Sequence, residues 1–133
     1  MLTMEMLQDA QRVLSGVINK TPVIPSTGIT QDCRLFLKAD CLQKTGAFKL
    51  RGAYYKIATL SDEEKARGVI ACSAGNHAQG VAFAARDMGI PATICIPEGA
   101  PLSKIEATRS YGANVVLGPG VYDDAYTEAA RLC

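Results

Sequence analysis

Apolar positions along the first half of the chain recur at helical spacing in two places. Residues 3–18 put Met6, Ala10, Val13, Leu14 and Val17 on one stripe, with Thr3 in the N-cap position. The pattern predicts a helix that Thr21-Pro22 ends, because the residue before a proline resists the α region. Pro25 and Gly28 read as loop, and Leu35-Phe36-Leu37-Lys38-Ala39 as one short strand with no obvious partner within residues 1–60. From Phe48, the recurrence of Leu50, Ala53, Tyr54 and Ile57 predicts a helix over 48–59. Ser61-Asp62-Glu63-Glu64 then has the form of a capping box, which opens a short second helix.

The second half is more regular. Short apolar runs rich in β-branched residues begin at Val69, Ala92 and Asn114, covering 69–72, 92–96 and 114–117. Each is followed by a helical pattern. Ala78, Val81, Ala82, Ala85 and Met88 follow the first, with Gly89 and Pro91 as stop signals. Pro101 suits the first turn of the next helix, Gly112 its C-terminal cap, and Tyr122 to Leu132 reads as the last helix. Strand–helix alternation at this spacing predicts an α/β fold of parallel-sheet βαβ units in three layers. The three units share no residue pattern, so they are not an internal repeat. Both halves look unfinished, and a three-stranded parallel sheet leaves apolar edges open, so the chain reads as a piece of a larger protein.

Composition narrows the class. The chain has 133 residues, 48% hydrophobic and 20% charged, which is ordinary for a globular protein. Lys and Arg number 14 against 13 Asp and Glu, and neither sign forms a run, so a nucleic-acid or membrane-surface partner is not expected. No apolar stretch approaches the roughly 20 residues of a membrane span. The N-terminus lacks the basic start and apolar centre of a signal peptide. Cys33, Cys41, Cys72, Cys95 and Cys133 are odd in number and widely spaced, which suits reduced packing thiols and a cytoplasmic location. His77 is the one histidine, and no metal site is assigned.

Two segments are unusual for their positions. Gln43 to Ala53 is a polar, glycine-containing turn feeding a helix, with Lys49 in the first turn and off the apolar stripe. The partial positive charge at a helix N-terminus disfavours an ammonium there. It favours the neutral amine, the form that attacks a carbonyl to make an imine. Gly52, one turn along on the same face, leaves room for a flat ring. Alone, such a lysine is ordinary surface decoration.

Ser73-Ala74-Gly75-Asn76-His77-Ala78-Gln79-Gly80 directly follows the strand at 69–72. A turn of small residues between a parallel strand and a helix exposes backbone N–H groups, which together with the helix dipole suit a carboxylate or phosphate. Ser73 adds a hydroxyl, and Asn76 an amide able to bond a polar ring substituent. His77 is either an acid/base or a residue that orients the turn, and the second is preferred. The pattern is not G-x-G-x-x-G, so a dinucleotide site is not supported and an unrelated nucleotide-binding module is a remote alternative.

Taken in this order, Lys44-Thr45-Gly46-Ala47-Phe48-Lys49-Leu50-Arg51-Gly52-Ala53 and Ser73 to Gly80 resemble the serine/threonine dehydratase family of fold-type II pyridoxal-phosphate enzymes, threonine dehydratases above all. Lys20-Thr21-Pro22, Leu35-Phe36-Leu37-Lys38 and Ala100-Pro101-Leu102-Ser103-Lys104 agree with it. The resemblance implies that Lys49 is the Schiff-base lysine and general base, that Phe48 packs beside the cofactor ring, and that Asn76 bonds the ring hydroxyl. Ser73, Ala74, Gly75 and His77 would line the loop that grips the substrate carboxylate. It implies loss of water from threonine or serine, giving a 2-oxo acid and ammonia. Residues 1–60 would open the large domain and residues 61–133 form most of the small one. The glycine-rich phosphate loop would lie beyond residue 133. A small amino acid is the implied substrate and a homo-oligomer the implied state.

Serine racemases resemble the same pattern but carry a serine where Ala74 stands. Alanine can neither give nor take a proton, so dehydration is preferred over two-base racemisation. Asp40 and Cys41 replace the family's usual Glu and Asn, and Tyr55 a common Asn, changes expected to alter packing rather than chemistry. The remaining alternative is a truncated βα module without catalysis. The isolated chain, without the phosphate grip, is expected to show little or no activity and to self-associate through its open edges.

Overall fold

The computed structural model describes residues 2–30 and 32–133. Helix α1 spans Met4–Leu14, and the Thr3 hydroxyl accepts from the Met6 N–H as anticipated. It stops well before Thr21-Pro22, however. Ser15 is extended, and Gly16 takes φ 83°, a left-handed turn that glycine adopts without penalty. Proline therefore does not set this boundary.

Strand β1 (Val23–Ser26) pairs antiparallel with β2 (Leu35–Lys38), in a register that sets Val23 opposite Lys38 and Ser26 opposite Leu35. This corrects two expectations: Pro25 lies in a strand rather than a loop, and the strand at 35–39 has a partner. In a two-stranded ribbon every strand is an edge, so a residue without an N–H is tolerated. A 3₁₀ turn at Asp40–Leu42 leads on to α2, Lys49–Ala58.

Helix α3 (Asp62–Arg67) begins with the anticipated capping box: the Ser61 hydroxyl accepts from the Glu64 N–H, and the Glu64 carboxylate from the Ser61 N–H. The strands β3 (Val69–Cys72), β4 (Ala92–Pro97) and β5 (Asn114–Gly118) form a parallel sheet in that order. They are connected by α4 (Asn76–Asp87) and α5 (Leu102–Ser110), and α6 (Tyr122–Leu132) follows β5.

The central strand shows how the layers are built. Ile94, Cys95 and Ile96 are all fully buried, but they alternate between faces. Ile94 and Ile96 join the larger core, with α2, α4 and Ile105 of α5. Cys95 packs with Ala125 and Ala129 of α6. The sheet thus has α4 and α5 on one face and α6 on the other, the three-layer α/β arrangement expected. Helix α4 is buried from Ala78 to Ala85, because α2 covers the side that faces away from the sheet.

Candidate active site

The turn before α2 is built of side chains that take over main-chain hydrogen bonding. The Gln43 amide closes a reciprocal pair with Asn19: it accepts from the Asn19 N–H at 2.8 Å and donates to the Asn19 carbonyl at 3.1 Å. The Arg51 guanidinium donates to both Asp40 oxygens, at 2.8 and 2.9 Å, and the Thr21 hydroxyl donates to the same carboxylate at 2.6 Å. The Arg51 guanidinium holds the Asp40 carboxyl at about 2, well below its ordinary 3.8. Through these bonds Asp40 braces the helix that carries Lys49. Tyr55 likewise ties α2 to α1, donating to Asp9 at 2.9 Å.

Lys49 is the first residue of α2 and is exposed, its Nζ lying 5.1 Å from the centre of the exposed Phe48 ring. Gly75 precedes α4 as Phe48 precedes α2, and neither helix start is capped by a side chain. Both first turns therefore keep N–H groups available to a ligand.

The two starts lie against each other. A Cβ built on Gly80 of α4 would stand 3.2 Å from the Lys49 carbonyl carbon and 3.2 Å from the Leu50 nitrogen, closer than side chains normally pack. His77 registers the same proximity. Its ring is exposed by surface area but crowded enough that desolvation, joined by the charge of Lys49, holds its pKa below the usual 6.5. A neutral imidazole can either accept a proton or orient the turn, the two roles the sequence offered. His77 also lines a cavity of about 650 Å³ with Gly52, Ala53, Val69 and Ala71.

Not every donor anticipated in the loop is free. The Gly75 N–H donates to the Ser73 hydroxyl oxygen at 3.3 Å, which leaves the Ser73 O–H proton for a ligand. Asn76 is exposed at the start of α4, and its Oδ1 accepts from the Lys104 ammonium at 2.7 Å. Lys104 carried no role in the sequence reading; only the distant packing of α5 beside α4 brings it here.

The residues present fit pyridoxal phosphate by three observations. Lys49 offers an accessible primary amine, and the space above Gly52 and Gly75 is open, with nothing within 4 Å of a Cβ at either position. Two polar atoms of these segments, Thr45 Oγ1 and Gln79 Nε2, are buried without a partner among the described residues, an arrangement that usually signals an absent ligand or water.

A primary amine at the start of α2 and a donor loop at the start of α4, two helices that pack together, suit a cofactor that carries both an aldehyde and an anionic group. The profile of the family described as "Pyridoxal-phosphate dependent enzyme" matches residues 14–133, and the chain belongs to that family. It is 52% identical to the L-threonine ammonia-lyase of Thermotoga maritima, over 99% of this chain and 33% of that protein. Among solved structures it matches maize serine racemase with a TM-score of 0.88 and 39% identity, covering 96% of this chain and 40% of that one. It also matches threonine deaminase isoform 2 of Solanum lycopersicum, with TM-score 0.85, 37% identity and coverage of 96% and 38%. The chain spans about a third of the curated relative's length.

Proposed function

We propose that this chain is the N-terminal portion of an ammonia-lyase (dehydratase) that converts L-threonine, with L-serine as a second substrate, to a 2-oxo acid and ammonia. The observation that carries the reading is the contact of Gly80 with the Lys49 backbone, which packs the first turn of α2 against α4, the helix that follows the donor loop. Lys49 would hold pyridoxal phosphate through its Nζ, with Phe48 beside the ring and Asn76 donating to the ring hydroxyl. When bound, the cofactor supplies an electron sink for the pair left by α-proton removal. Lys49 Nζ would be the group that accepts that proton. Ser73, Ala74 and Gly75, with His77 orienting the turn, would hold the substrate carboxylate through main-chain N–H groups and the Ser73 hydroxyl.

In this reading residues 1–60 belong to the large domain and residues 61–133 to the small one, α2 and α4 being the packed pair across that division. The whole protein would act on a small amino acid as a homo-oligomer. No helix among the described residues is long and apolar enough to cross a membrane. The five cysteines are all free, which suits the reducing cytoplasm. Racemisation is the second reading, favoured by the likeness to maize serine racemase. Ala74 argues against it, since it offers no acid/base on the opposite face.

The test is to mix the chain with pyridoxal phosphate, reduce with borohydride, and locate the pyridoxyl mass. Label confined to Lys49 supports the site; label scattered over exposed lysines supports the reading as an inert βα module. The isolated chain should release little or no 2-oxobutyrate from threonine, and brisk release would overturn the expectation that downstream residues complete the cofactor grip.

A further inference from the structure

Asn76 is fixed from outside its own helix. The Lys104 ammonium lies 2.7 Å from Asn76 Oδ1, and an ammonium can only donate, so the amide oxygen must be the atom that faces it. The planar amide then turns Nδ2, its donor end, away from Lys104. Lys104 gains nothing electrostatically from its own helix: it sits in the first turn of α5, where the dipole disfavours a cation.

Its backbone is nevertheless held firmly. The Lys104 N–H donates to the Pro101 carbonyl at 2.9 Å. The fully buried Thr108 donates its hydroxyl to the Lys104 carbonyl at 2.8 Å, and Ile105 beside it is in the core. A long, half-buried side chain leaving so rigid a base can keep one partner at modest entropic cost.

We infer that Lys104 is a positioning residue that orients Asn76 so that its Nδ2 donates into the ligand cleft. This rests on the cofactor reading above. In that reading the bond does two things. It removes the flipped amide, which would present oxygen to the ring oxygen and repel it. It also polarises the amide, so that Nδ2 becomes a stronger donor to an anionic oxygen. The bond spans two helices, so it also makes the donor's orientation depend on how α5 sits against α4.

The experiment has two arms, run on the chain with Lys104→Met and Lys104→Arg. In the first, without cofactor, the side-chain amide of Asn76 is followed by nitrogen-15 NMR. Lys104→Met should collapse the two Nδ2 proton shifts toward those of a free asparagine and speed their exchange with solvent, and Lys104→Arg should restore both. An Asn76 amide that is the same in all three proteins overturns the inference.

In the second arm, pyridoxyl label at Lys49 is titrated against cofactor concentration. Lys104→Met should need about threefold to tenfold more cofactor, the size of one lost hydrogen bond, and Lys104→Arg close to the original amount. An unchanged titration in Lys104→Met, with the NMR change present, also overturns the positioning role. If the original chain takes no label at Lys49, the cofactor reading fails, and the NMR arm alone decides whether Lys104 sets the amide. Circular dichroism melts of both variants separate these effects from unfolding.

Discussion

Gly80 touches the backbone that carries Lys49: a Cβ there would lie 3.2 Å from the Lys49 carbonyl carbon and 3.3 Å from its oxygen. The two helix starts meet because this one residue has no side chain. Gly80→Ala gains helix propensity but must push the backbone of α2 from α4 by a few tenths of an ångström, and overpacking of this kind costs about 1–3 kcal/mol, more than the propensity returns. The expected outcome is a lower denaturant midpoint together with weaker pyridoxyl labelling of Lys49. Full stability in Gly80→Ala would show that the contact is looser than the geometry states.

Gly52 makes the opposite case. It lies within α2, exposed, with nothing within 4 Å of a Cβ. Gly52→Ala should therefore stabilise the chain by about 0.5–1 kcal/mol through helix propensity. If the cofactor ring lies over Gly52, the same methyl obstructs it, and labelling of Lys49 falls several-fold. A variant that is more stable and equally labelled would place the ring elsewhere.

The brace behind the lysine predicts an acid response. Asp40 titrates at about 2 in the folded chain against an ordinary 3.8, chiefly because Arg51 donates to it. A carboxyl whose folded pKa is depressed stabilises the fold above its unfolded pKa, and that contribution is lost as pH falls from about 4 to about 2. Asp40→Asn should thus be less stable than the original chain at pH 6, with the difference closing over that window. Urea midpoints of the two proteins across pH 2–6 test this; a gap that persists at pH 2 would mean that the charge of Asp40 is not what holds Arg51.

Tyr54 predicts the response at the other end of the scale. It donates to Asp87 at 2.8 Å, and burial, with that acceptor, pushes its phenol up to about 12 from 10.0. An acid with a raised folded pKa stabilises the fold below its unfolded pKa, and the contribution disappears as pH rises from about 10 to about 12. Tyr54→Phe should cost about 1 kcal/mol near neutral pH. The difference should shrink through that alkaline range, as read from melting temperatures at fixed ionic strength.

These residues also mark where local pattern reading stops. The strands expected at 69–72, 92–96 and 114–117 were legible, each to within one residue of its observed end, because β-branched runs are flanked by helix stops, and the α3 capping box because its bonds lie within four residues. Strand β1 was not, since Val23-Ile24-Pro25-Ser26 is short and its proline mimics a loop. In the site, Lys49 and residues 73–77 stood out by residue type. The Gly80 contact and the Lys104–Asn76 bond did not, because each joins residues about 30 positions apart through packing that no local period encodes.

Gly68 tests the joint where the sheet begins. It has φ 87° and ψ −174°, a region only glycine occupies comfortably, and a Cβ there would lie 2.7 Å from the Pro91 carbonyl oxygen. That oxygen accepts from the Val69 N–H at 2.9 Å, the first bond tying β3 to the segment entering β4. Gly68→Ala therefore combines backbone strain with a displaced hydrogen bond and should cost about 2–4 kcal/mol. Gly112 has a similar φ of 82° but open space around it, so Gly112→Ala carries strain alone, about 1–2 kcal/mol. Denaturant unfolding of the pair separates clash from dihedral strain: Gly68→Ala must be the more damaging. Because β3 ends in the Ser73 loop, it should also lower labelling at Lys49, whereas Gly112→Ala should leave labelling unchanged. Equal losses for the two variants would mean that the entry to β3 yields to the methyl without disturbing the strand.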